Sequence, residues 1–283
     1  MRLKVPTKIG PCYPRCTPTY GTGGRGSRSH RLVSGLLPGA PPASNGLLNN
    51  LIAYWPGDEV AGNALDAHTN ALHLTDINTV TSNPGNVYLL ARQYTRANVE
   101  YHRHIDDPLL SCGNTDITWA AWVYLGSKPG TQMRIMAKHD GASIAGSEYA
   151  LSWINTTDRF RLEGYLSPAT TPTVSATTFG APALGTWYLV IAHHDAVNDQ
   201  LGISVNDGVI DTAALVGGLN DTVTVFNIGN WANNGAGTNC WDGRIGPSAM
   251  WKSAAGGGGV LTAAQRTALY NGGAGLTYAE LTA

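Results

Sequence analysis

One stretch near the carboxyl end limits the fold more than any other. Residues 230–253 read NWANNGAGTNCWDGRIGPSAMWKS, a polar loop that leads into an apolar segment ending at Trp251. Asp242 and Gly243 favour a sharp turn, because aspartate can hydrogen-bond its own backbone and glycine accepts positive φ. The pattern predicts a strand that begins at Arg244 and completes a β-sheet.

A short helix is predicted after this strand. Residues 262–270 read TAAQRTALY, with Thr262 in the N-cap position and Gln265 three residues later, which is the spacing of a capping box. Asn271 and Gly272 then end the helix, since both residues tolerate the left-handed conformation of a C-terminal cap.

The strand and the helix together resemble the end of laminin-G-like, concanavalin A-like jelly-roll domains. The resemblance covers about residues 48–281. It implies an all-β fold, an antiparallel jelly-roll sandwich with one short C-terminal helix. Other segments match the family in the same order along the chain: residues 54–58 with the turn at 62–75, residues 116–125, the pair 149–154 and 158–162, and residues 187–195 followed by 201–208.

Composition favours a single domain over residues 46–283. Apolar residues make up 43% of the chain and charged residues 13%, which provides a large core under a weakly charged surface. The 35 glycines suit short strands joined by tight turns. In residues 117–125 apolar side chains occupy both alternating faces, which predicts a strand covered on both sides.

Residues 1–45 differ from this body and are predicted to form an extended anchoring arm. Glycine and proline recur throughout the arm, so it cannot bury enough apolar surface to fold alone and would be ordered by a partner. It carries no acidic residue, whereas the rest of the chain has 11 basic and 19 acidic residues. The seven basic residues of the arm are Arg2, Lys4, Lys8, Arg15, Arg25, Arg28 and Arg31.

The charge pattern also limits the partners. A larger protein assembly is the expected partner of residues 1–45, and nucleic acid ranks below it because the acidic body would be repelled by phosphates.

The first residues do not resemble a signal peptide, since Pro6, Gly10 and Pro11 interrupt any apolar run. No segment reaches transmembrane length. A homo-oligomer is compatible with the sequence.

The four cysteines leave the redox state open. Cys12 and Cys16 would need two further ligands to hold zinc, and only His30 is near them in the sequence. Cys112 and Cys240 each precede a predicted strand, and a disulfide between them depends on a distance that the sequence does not give. Reduced thiols are expected.

The search for catalytic residues argues against an enzyme. Hydrolases built on this sandwich place two carboxyl groups on one strand, flanking the bond they cleave. His193 and His194 are neighbours on a predicted strand, so they point to opposite faces and cannot bind one ion; one is expected in the core and one exposed. None of the five glutamates shares a strand face with another carboxylate: Glu59, Glu100, Glu148, Glu163 and Glu280.

Calcium is the inorganic ligand that the resemblance implies, because members of the family bind it at the rim of the sandwich. The carboxylates that match the family motifs are Asp58, Asp66 and Asp242. Loops rich in asparagine and glycine could supply further oxygens. The alternative is that Asp66 and Asp242 only cap turns.

A sugar site is predicted in the asparagine-rich loop. The flat ring of Trp231 could stack on a sugar, while Asn233, Asn234 and Asn239 could donate to and accept from its hydroxyls. The alternative is that Trp231 plugs one end of the sandwich. Four other tryptophans are predicted to lie in the core, since all fall on strands: Trp55, Trp119, Trp122 and Trp251.

These features favour a non-enzymatic structural or adhesion protein. The first hypothesis is a bacteriophage virion surface protein, of the capsid decoration or fibre type, whose basic arm docks on the particle and whose jelly roll is displayed and binds glycans. The alternative is a secreted, extracellular carbohydrate-binding module of a bacterium. A sandwich-type glycoside hydrolase ranks third, for want of paired carboxylates.

Overall fold

A computed structural model describes residues 45–168, 170–231 and 239–282. The predicted arm, with its seven basic residues and with Cys12 and Cys16, lies outside the described residues except for Asn45. Its boundary and its anchoring role stay predictions.

Fifteen strands among the described residues form two sheets, and every pairing between them is antiparallel. The first sheet has eight strands in the order β13, β12, β11, β6, β15, β4, β3, with β1 also paired to β15. Its strands are β1 Leu51–Trp55, β3 Thr81–Pro84, β4 Leu90–Tyr94, β6 Asp116–Leu125, β11 Trp187–Asp195, β12 Gln200–Val205, β13 Asp211–Ala214 and β15 Gly243–Ser253.

The second sheet has seven strands in the order β10, β9, β8, β7, β14, β5, β2. Strands β7, β8 and β9 follow one another in the chain as a meander, and β14 inserts beside β7 from far along the sequence. Its strands are β2 Thr75–Ile77, β5 Tyr101–His104, β7 Met133–Lys138, β8 Tyr149–Ile154, β9 Arg159–Gly164, β10 Thr173–Ser175 and β14 Phe226–Ile228.

The main core fills the space between the two sheets, and a second cluster covers the outer face of the eight-stranded sheet. Trp55 and Trp119 belong to the main core, whereas Trp122 and Trp251 belong to the second cluster with Leu269. The four tryptophans predicted to be buried are therefore buried, but in two separate layers. Strand β6 contributes to both layers, which confirms that both of its faces are covered.

The helix α1, Ala263–Tyr270, packs on the second cluster and has the predicted ends. Thr262 accepts from the backbone of Gln265, the Gln265 side chain accepts from the backbone of Thr262, and Asn271 is left-handed. A one-turn helix α2, Tyr278–Leu281, follows it with a capping box of its own. No helix in the described part of the chain is long and apolar enough to cross a membrane.

The turn before β15 explains its glycine. Gly243 has φ +139°, and a Cβ there would lie 2.2 Å from the carbonyl oxygen of Tyr124 on the neighbouring strand. Only glycine allows this approach. The strand begins at Gly243, one residue before the prediction, because this residue already pairs with Leu125 and Tyr94. The opening strand is also displaced, to Leu51–Trp55 instead of residues 54–58.

Candidate ligand-binding site on the seven-stranded sheet

A continuous row of side chains crosses the outer face of the seven-stranded sheet. Neighbouring residues in the row are paired across adjacent strands, and the alanines at its centre, Ala137 and Ala150, are buried in a cluster with Tyr165, Ile144 and Trp231. A second, parallel row runs beside it, formed by Arg134, Ser152, Arg161 and Ser175. The first row is formed by Arg103, Asn227, Ala137, Ala150, Glu163 and Thr173.

Period-two alternation places these residues outside. Phe160 and Leu162 of β9 are in the main core, so Arg161 and Glu163 between and beyond them face outward. The same alternation holds on β14, where Phe226 and Ile228 flank an outward Asn227. On β7 the register shifts between Arg134 and Met136, which puts Arg134 and Ala137 on the same face although they are three residues apart.

An ion pair occupies one side of this face. Arg134 is 1% exposed, and its Nη1 contacts Glu163 Oε2 and donates to Ser152 Oγ at 2.6 Å. Arg161 Nη2 lies 3.4 Å from the second oxygen of Glu163. Burial alone would raise the pKa of the Glu163 carboxyl, but the charge of Arg134 and its hydrogen bond outweigh burial and lower that pKa. The carboxylate is therefore ionised at neutral pH.

Three rings gather beside the ion pair. The indole of Trp231 lies 4.3 Å from the imidazole of His139, measured between ring centroids, and the guanidinium carbon of Arg134 lies 4.8 Å from the Trp231 ring. The ring of Tyr165 packs edge-on against His139 at 4.8 Å, and its hydroxyl donates to Glu163 at 3.2 Å. Trp231 packs against buried residues of the sheet but is itself only partly buried, so the cluster is accessible to solvent at this ring.

His139 is neutral in this cluster. Burial, together with the charge of Arg134, lowers the pKa of the His139 imidazole to about 4. The backbone N–H of Gly141 donates to His139 Nδ1 at 2.8 Å, so the imidazole proton sits on Nε2. His139 therefore contributes a flat ring and one N–H donor at neutral pH.

Two asparagines beside the cluster are buried without full hydrogen bonding. Asn227 is 0% exposed, and neither atom of its amide has a partner among the residues the structure describes. Asn230 is also 0% exposed; its oxygen accepts from the backbone of Trp231, while its nitrogen has no partner within the same part of the chain. A buried amide without partners costs free energy, so these groups are suited to a polar ligand.

The structure places the predicted sugar residues as follows. Trp231 lies on the outer face of the sheet and not at an end of the sandwich. Asn239 lies next to it: in the orientation that satisfies its amide, the Asn239 oxygen accepts from Trp231 Nε1 at 3.1 Å, and the nitrogen donates to Gln132 at 3.2 Å. Asn233 and Asn234 lie outside the described residues.

Sequence reasoning missed the residues that surround Trp231. Arg134, His139, Glu163 and Tyr165 come from segments that were not linked to the asparagine-rich loop. The alternation of charged and apolar residues over 159–164 was a signal that one face of β9 is outward and polar. Nothing local in the sequence pairs that face with Trp231, since the pairing depends on β14 lying beside β7.

The three carboxylates predicted for calcium lie in different hydrogen-bond networks. Asp66 accepts from the backbone N–H groups of Tyr54, His68 and Leu72. Asp242 accepts from Ser127 Oγ and lies 3.4 Å from the backbone nitrogen of Arg96. The bond from the backbone of His68, two residues after Asp66, matches the turn-capping alternative for Asp66, whereas these partners of Asp242 come from distant segments of the chain.

The calcium site itself stays a prediction. Asp58 is exposed. Within residues 45–168, 170–231 and 239–282, no three His, Cys, Asp or Glu side chains form a group that could hold a metal ion.

The remaining histidines and cysteines are structural. His193 and His194 point to opposite faces as predicted, but both are buried, so the expectation that one is exposed is wrong. The eight-stranded sheet is covered on its outer face as well as its inner one, which leaves no solvent for His193. Cys112 and Cys240 are both buried and free, so no disulfide joins them.

Comparison with known families gives a match over more than half of the chain. Residues 99–257 match the family model described as the concanavalin A-like lectin/glucanases superfamily. This span contains strands β5 to β15 and the whole of the Trp231 cluster. No curated protein matches the chain.

Solved structures similar to this chain share its sandwich. The binding domain of Paraclostridial Mosquitocidal Protein 1 has a TM-score of 0.62 at 10% identity, covering 80% of this chain and 52% of that one. A second similar structure is domain 4 of AbnA, an extracellular GH43 arabinanase from Geobacillus stearothermophilus, in complex with arabinotriose. Its TM-score is 0.55 at 16% sequence identity, and the match covers 77% of this chain and 97% of that one. Trypanosoma rangeli sialidase in complex with sialic acid has a TM-score of 0.56 at 14% sequence identity, and the match covers 81% of this chain and 34% of that one. At these identities the likeness is one of fold.

Proposed function

The chain belongs to the concanavalin A-like lectin/glucanase superfamily, and from this premise we propose that it is a sugar-binding protein without hydrolytic activity. Its binding surface is the outer face of the seven-stranded sheet around Trp231. The residues that line it are Trp231, Arg134, His139, Glu163, Tyr165 and Asn227.

The observation that carries this proposal is the packing of Trp231. Its indole is fixed by His139 at 4.3 Å and by Arg134 at 4.8 Å, yet part of it stays open to solvent. A ring held in place beside charged and amide groups offers a sugar both a stacking plane and hydrogen bonds. Because the ring is already immobile, binding a sugar costs little further side-chain entropy.

Similar structures support a sugar ligand. The AbnA domain is in complex with arabinotriose, and the sialidase is in complex with sialic acid. This chain covers nearly all of the AbnA domain, so the support comes from a whole domain of comparable size.

Two features of the site support binding without hydrolysis. Glu163 is the only carboxylate at an outward position of the seven described strands, whereas the glycosidase pattern needs two. The carboxylate of Asp140, in the loop after β7, lies 3.9 Å from His139, but it is held in its own loop by Ala142 and Ser143. The hydroxyl of Tyr165 could act as a nucleophile only as a phenolate, and burial raises the pKa of that phenol, so it keeps its proton at neutral pH. Glu163 is an ionised carboxylate whose charge is compensated by the ion pair with Arg134.

The setting of the sandwich is the second part of the proposal. Residues 1–45 anchor the protein to a larger assembly, a bacteriophage particle first, and the sandwich is displayed at the surface. The support is the charge asymmetry: seven basic residues and no acidic one in residues 1–45, against an acidic remainder. A secreted carbohydrate-binding module is the alternative, and it would not need the basic residues.

Calorimetric titration tests the binding site. Oligosaccharides selected on a glycan array, with arabinotriose included, are titrated into the protein and into Trp231→Ala and Trp187→Ala. Trp187 is the matched control: it is also partly buried and also lies near an arginine, with Arg244 at 5.9 Å, but it is on the eight-stranded sheet. We expect Trp231→Ala to lose binding by at least tenfold and Trp187→Ala to keep it. Loss in Trp187→Ala alone would place the site on the other sheet.

Particle occupancy tests the anchor. A variant lacking residues 1–45 is compared with one of full length in which the seven basic residues are replaced by glutamine. We expect both to fall off the particle, because the attraction depends on charge and not only on chain length. Unchanged occupancy of either variant contradicts the electrostatic anchor.

A further inference from the structure

Charge on the outer face of the seven-stranded sheet is distributed unlike that of the body as a whole. The 11 basic residues that follow residue 45 are outnumbered by 19 acidic ones. The outward positions of this one sheet, however, hold four of those 11 basic residues and only one acidic residue, Glu163. The four are Arg103, Arg134, Arg159 and Arg161.

The other charged residues of these strands point elsewhere. Lys138 pairs with Tyr149 and Phe226, which face the core, and its ammonium contacts Asp106 and Glu148 at 2.7 and 2.6 Å. Asp76 pairs with His102, which is fully buried. Neither side chain reduces the excess of three positive charges at the outward strand positions. Asp140, in the loop after β7, is a further acidic residue near this face, 3.9 Å from His139.

We propose that the ligand of this face is an acidic glycan, one whose sugars carry carboxylate or sulfate groups. The inference rests on the proposed sugar site and specifies its ligand. Guanidinium groups bind such anions through two parallel N–H donors, and they do so best where solvent is partly excluded. Arginine is therefore the residue type that an acidic ligand requires.

Arg161 is the residue best placed to meet the anion. It is partly exposed, and its only ion pair in the described residues is the 3.4 Å contact with Glu163, which Arg134 already neutralises. The Nε atoms of Arg134 and Arg161 are buried without a partner in that same part of the chain. The charge of Arg161 is thus the least compensated beside Trp231.

Asn227 gives an independent indication of a ligand. Its amide is fully buried on the same face, between Arg103 and Ala137 in the row, and both of its polar atoms lack a partner in the described chain. The row from Arg103 to Glu163 crosses four strand spacings, about 19 Å at 4.8 Å each. Arg103 lies at one end of this row, and at the other end Arg161 of the second row lies beside Glu163, while Ala137 and Ala150 between them are 0% exposed. An acidic oligosaccharide bound over the Trp231 cluster would meet a guanidinium at each end.

A matched pair of probes tests the charge. Trigalacturonate and its fully methyl-esterified form have the same rings and differ in their carboxylates. We expect the acid to bind at least tenfold more tightly than the ester at 50 mM salt, which is about 1.4 kcal/mol. The difference should shrink at 500 mM salt, because exposed charges are then screened. A heparin-derived tetrasaccharide and its desulfated form serve as the second pair and distinguish sulfate from carboxylate.

Variants locate the effect. Arg161→Gln should bring the affinity for the acidic probe close to that for its neutral form, while the affinity for the neutral form stays within twofold. Arg244→Gln is the control, since Arg244 also stacks on an aromatic ring, Tyr124 at 3.9 Å, but on the other sheet. If the acidic and neutral probes bind with equal affinity and Trp231→Ala loses both, the proposal of an acidic ligand is wrong and the proposal of a sugar site stands. If no probe binds, both the sugar site and its acidic ligand are contradicted. If only Arg244→Gln loses the preference for the acidic probe, the anion binds on the eight-stranded sheet.

Discussion

Arg92 and His102 are in direct contact in the interior, with 3.1 Å between Nη2 and Nε2. Arg92 is 1% exposed, and its other partners are backbone carbonyl oxygens, among them those of Glu59 at 2.7 Å and Val80 at 3.2 Å. His102 Nε2 also lies 3.1 Å from the carbonyl oxygen of Gly62, and its Nδ1 lies 2.9 Å from the hydroxyl of Tyr94. The pair ties the loop over 59–62 to the main core.

This contact predicts a pH dependence of stability. Burial, and after it the charge of Arg92, lowers the pKa of His102 to about 3, whereas an unfolded histidine titrates near 6.5. Between these values the unfolded chain binds the extra proton, so the free energy of unfolding falls as the pH drops from about 7 towards 4. His102→Gln should flatten that slope in denaturant unfolding at pH 7, 5.5 and 4.5.

His104→Gln is the control for this slope. His104 is on the same strand but only partly buried, and its Nδ1 lies 2.7 Å from the carbonyl oxygen of its neighbour Ile105. This variant should keep the slope of the unmodified protein. Equal slopes in His102→Gln and in the unmodified protein would contradict the assignment.

The Arg134–Glu163 pair gives a second prediction. Glu163→Gln leaves a guanidinium that is 1% exposed without its carboxylate, and removal of one partner of a buried pair costs about 3 to 5 kcal/mol. Lys128→Met removes a pair at the surface, since the side chains of Lys128 and Asp158 are 26% and 36% exposed. That loss should stay below about 1 kcal/mol. Urea unfolding of the two variants measures the difference, and similar costs would contradict burial of the pair.

Much of the sandwich is predictable from local pattern because its signals are local. Residues 116–125 and 187–195 are strands with the bounds that the family resemblance implies. In residues 117–125 the apolar side chains on both alternating faces also mark the strand without reference to its neighbours. The cap at Thr262 is also a local signal, which needs only Gln265 three residues later. The family match over residues 99–257 covers both of these strands.

The candidate site is predictable only in part because it is assembled across strands. Trp231 is predictable as a binding residue because the asparagines around it are its neighbours in the sequence. Arg134 joins it through a register shift on β7, and Glu163 joins through two further strand pairings. Register of this kind depends on packing between distant segments, so no periodicity in the sequence records it.

Gln265 links helix α1 to the start of the body and provides a third prediction. Its side chain accepts from the backbone of Thr262 and donates to the carbonyl oxygen of Gly46 at 3.0 Å. Gln265→Ala removes both contacts, whereas Gln265→Glu keeps the cap and loses the donor to Gly46. We expect the alanine variant to lower the free energy of unfolding by about 1 to 2 kcal/mol and the glutamate variant by less. Equal losses would show that the bond to Gly46 dominates.

The contact between His193 and Gly202 provides the last prediction. The two residues are paired on β11 and β12, and a Cβ on Gly202 would lie 2.2 Å from His193 Cε1 and 2.3 Å from Nε2. The imidazole is buried, so it cannot move away freely, and Gly202→Ala should cost about 1 to 3 kcal/mol through overpacking.

A double-mutant cycle separates this clash from the general cost of changing a strand glycine. His193→Ala removes the ring, so the added methyl group of Gly202→Ala should cost at least about 1 kcal/mol less in the double variant than alone. Gly130→Ala is a control for glycine replacement in an exposed loop, because a Cβ there meets nothing within 4 Å, and it should stay within about 0.5 kcal/mol of the unmodified protein. Additive costs in the cycle would show that His193 does not fill the space above Gly202.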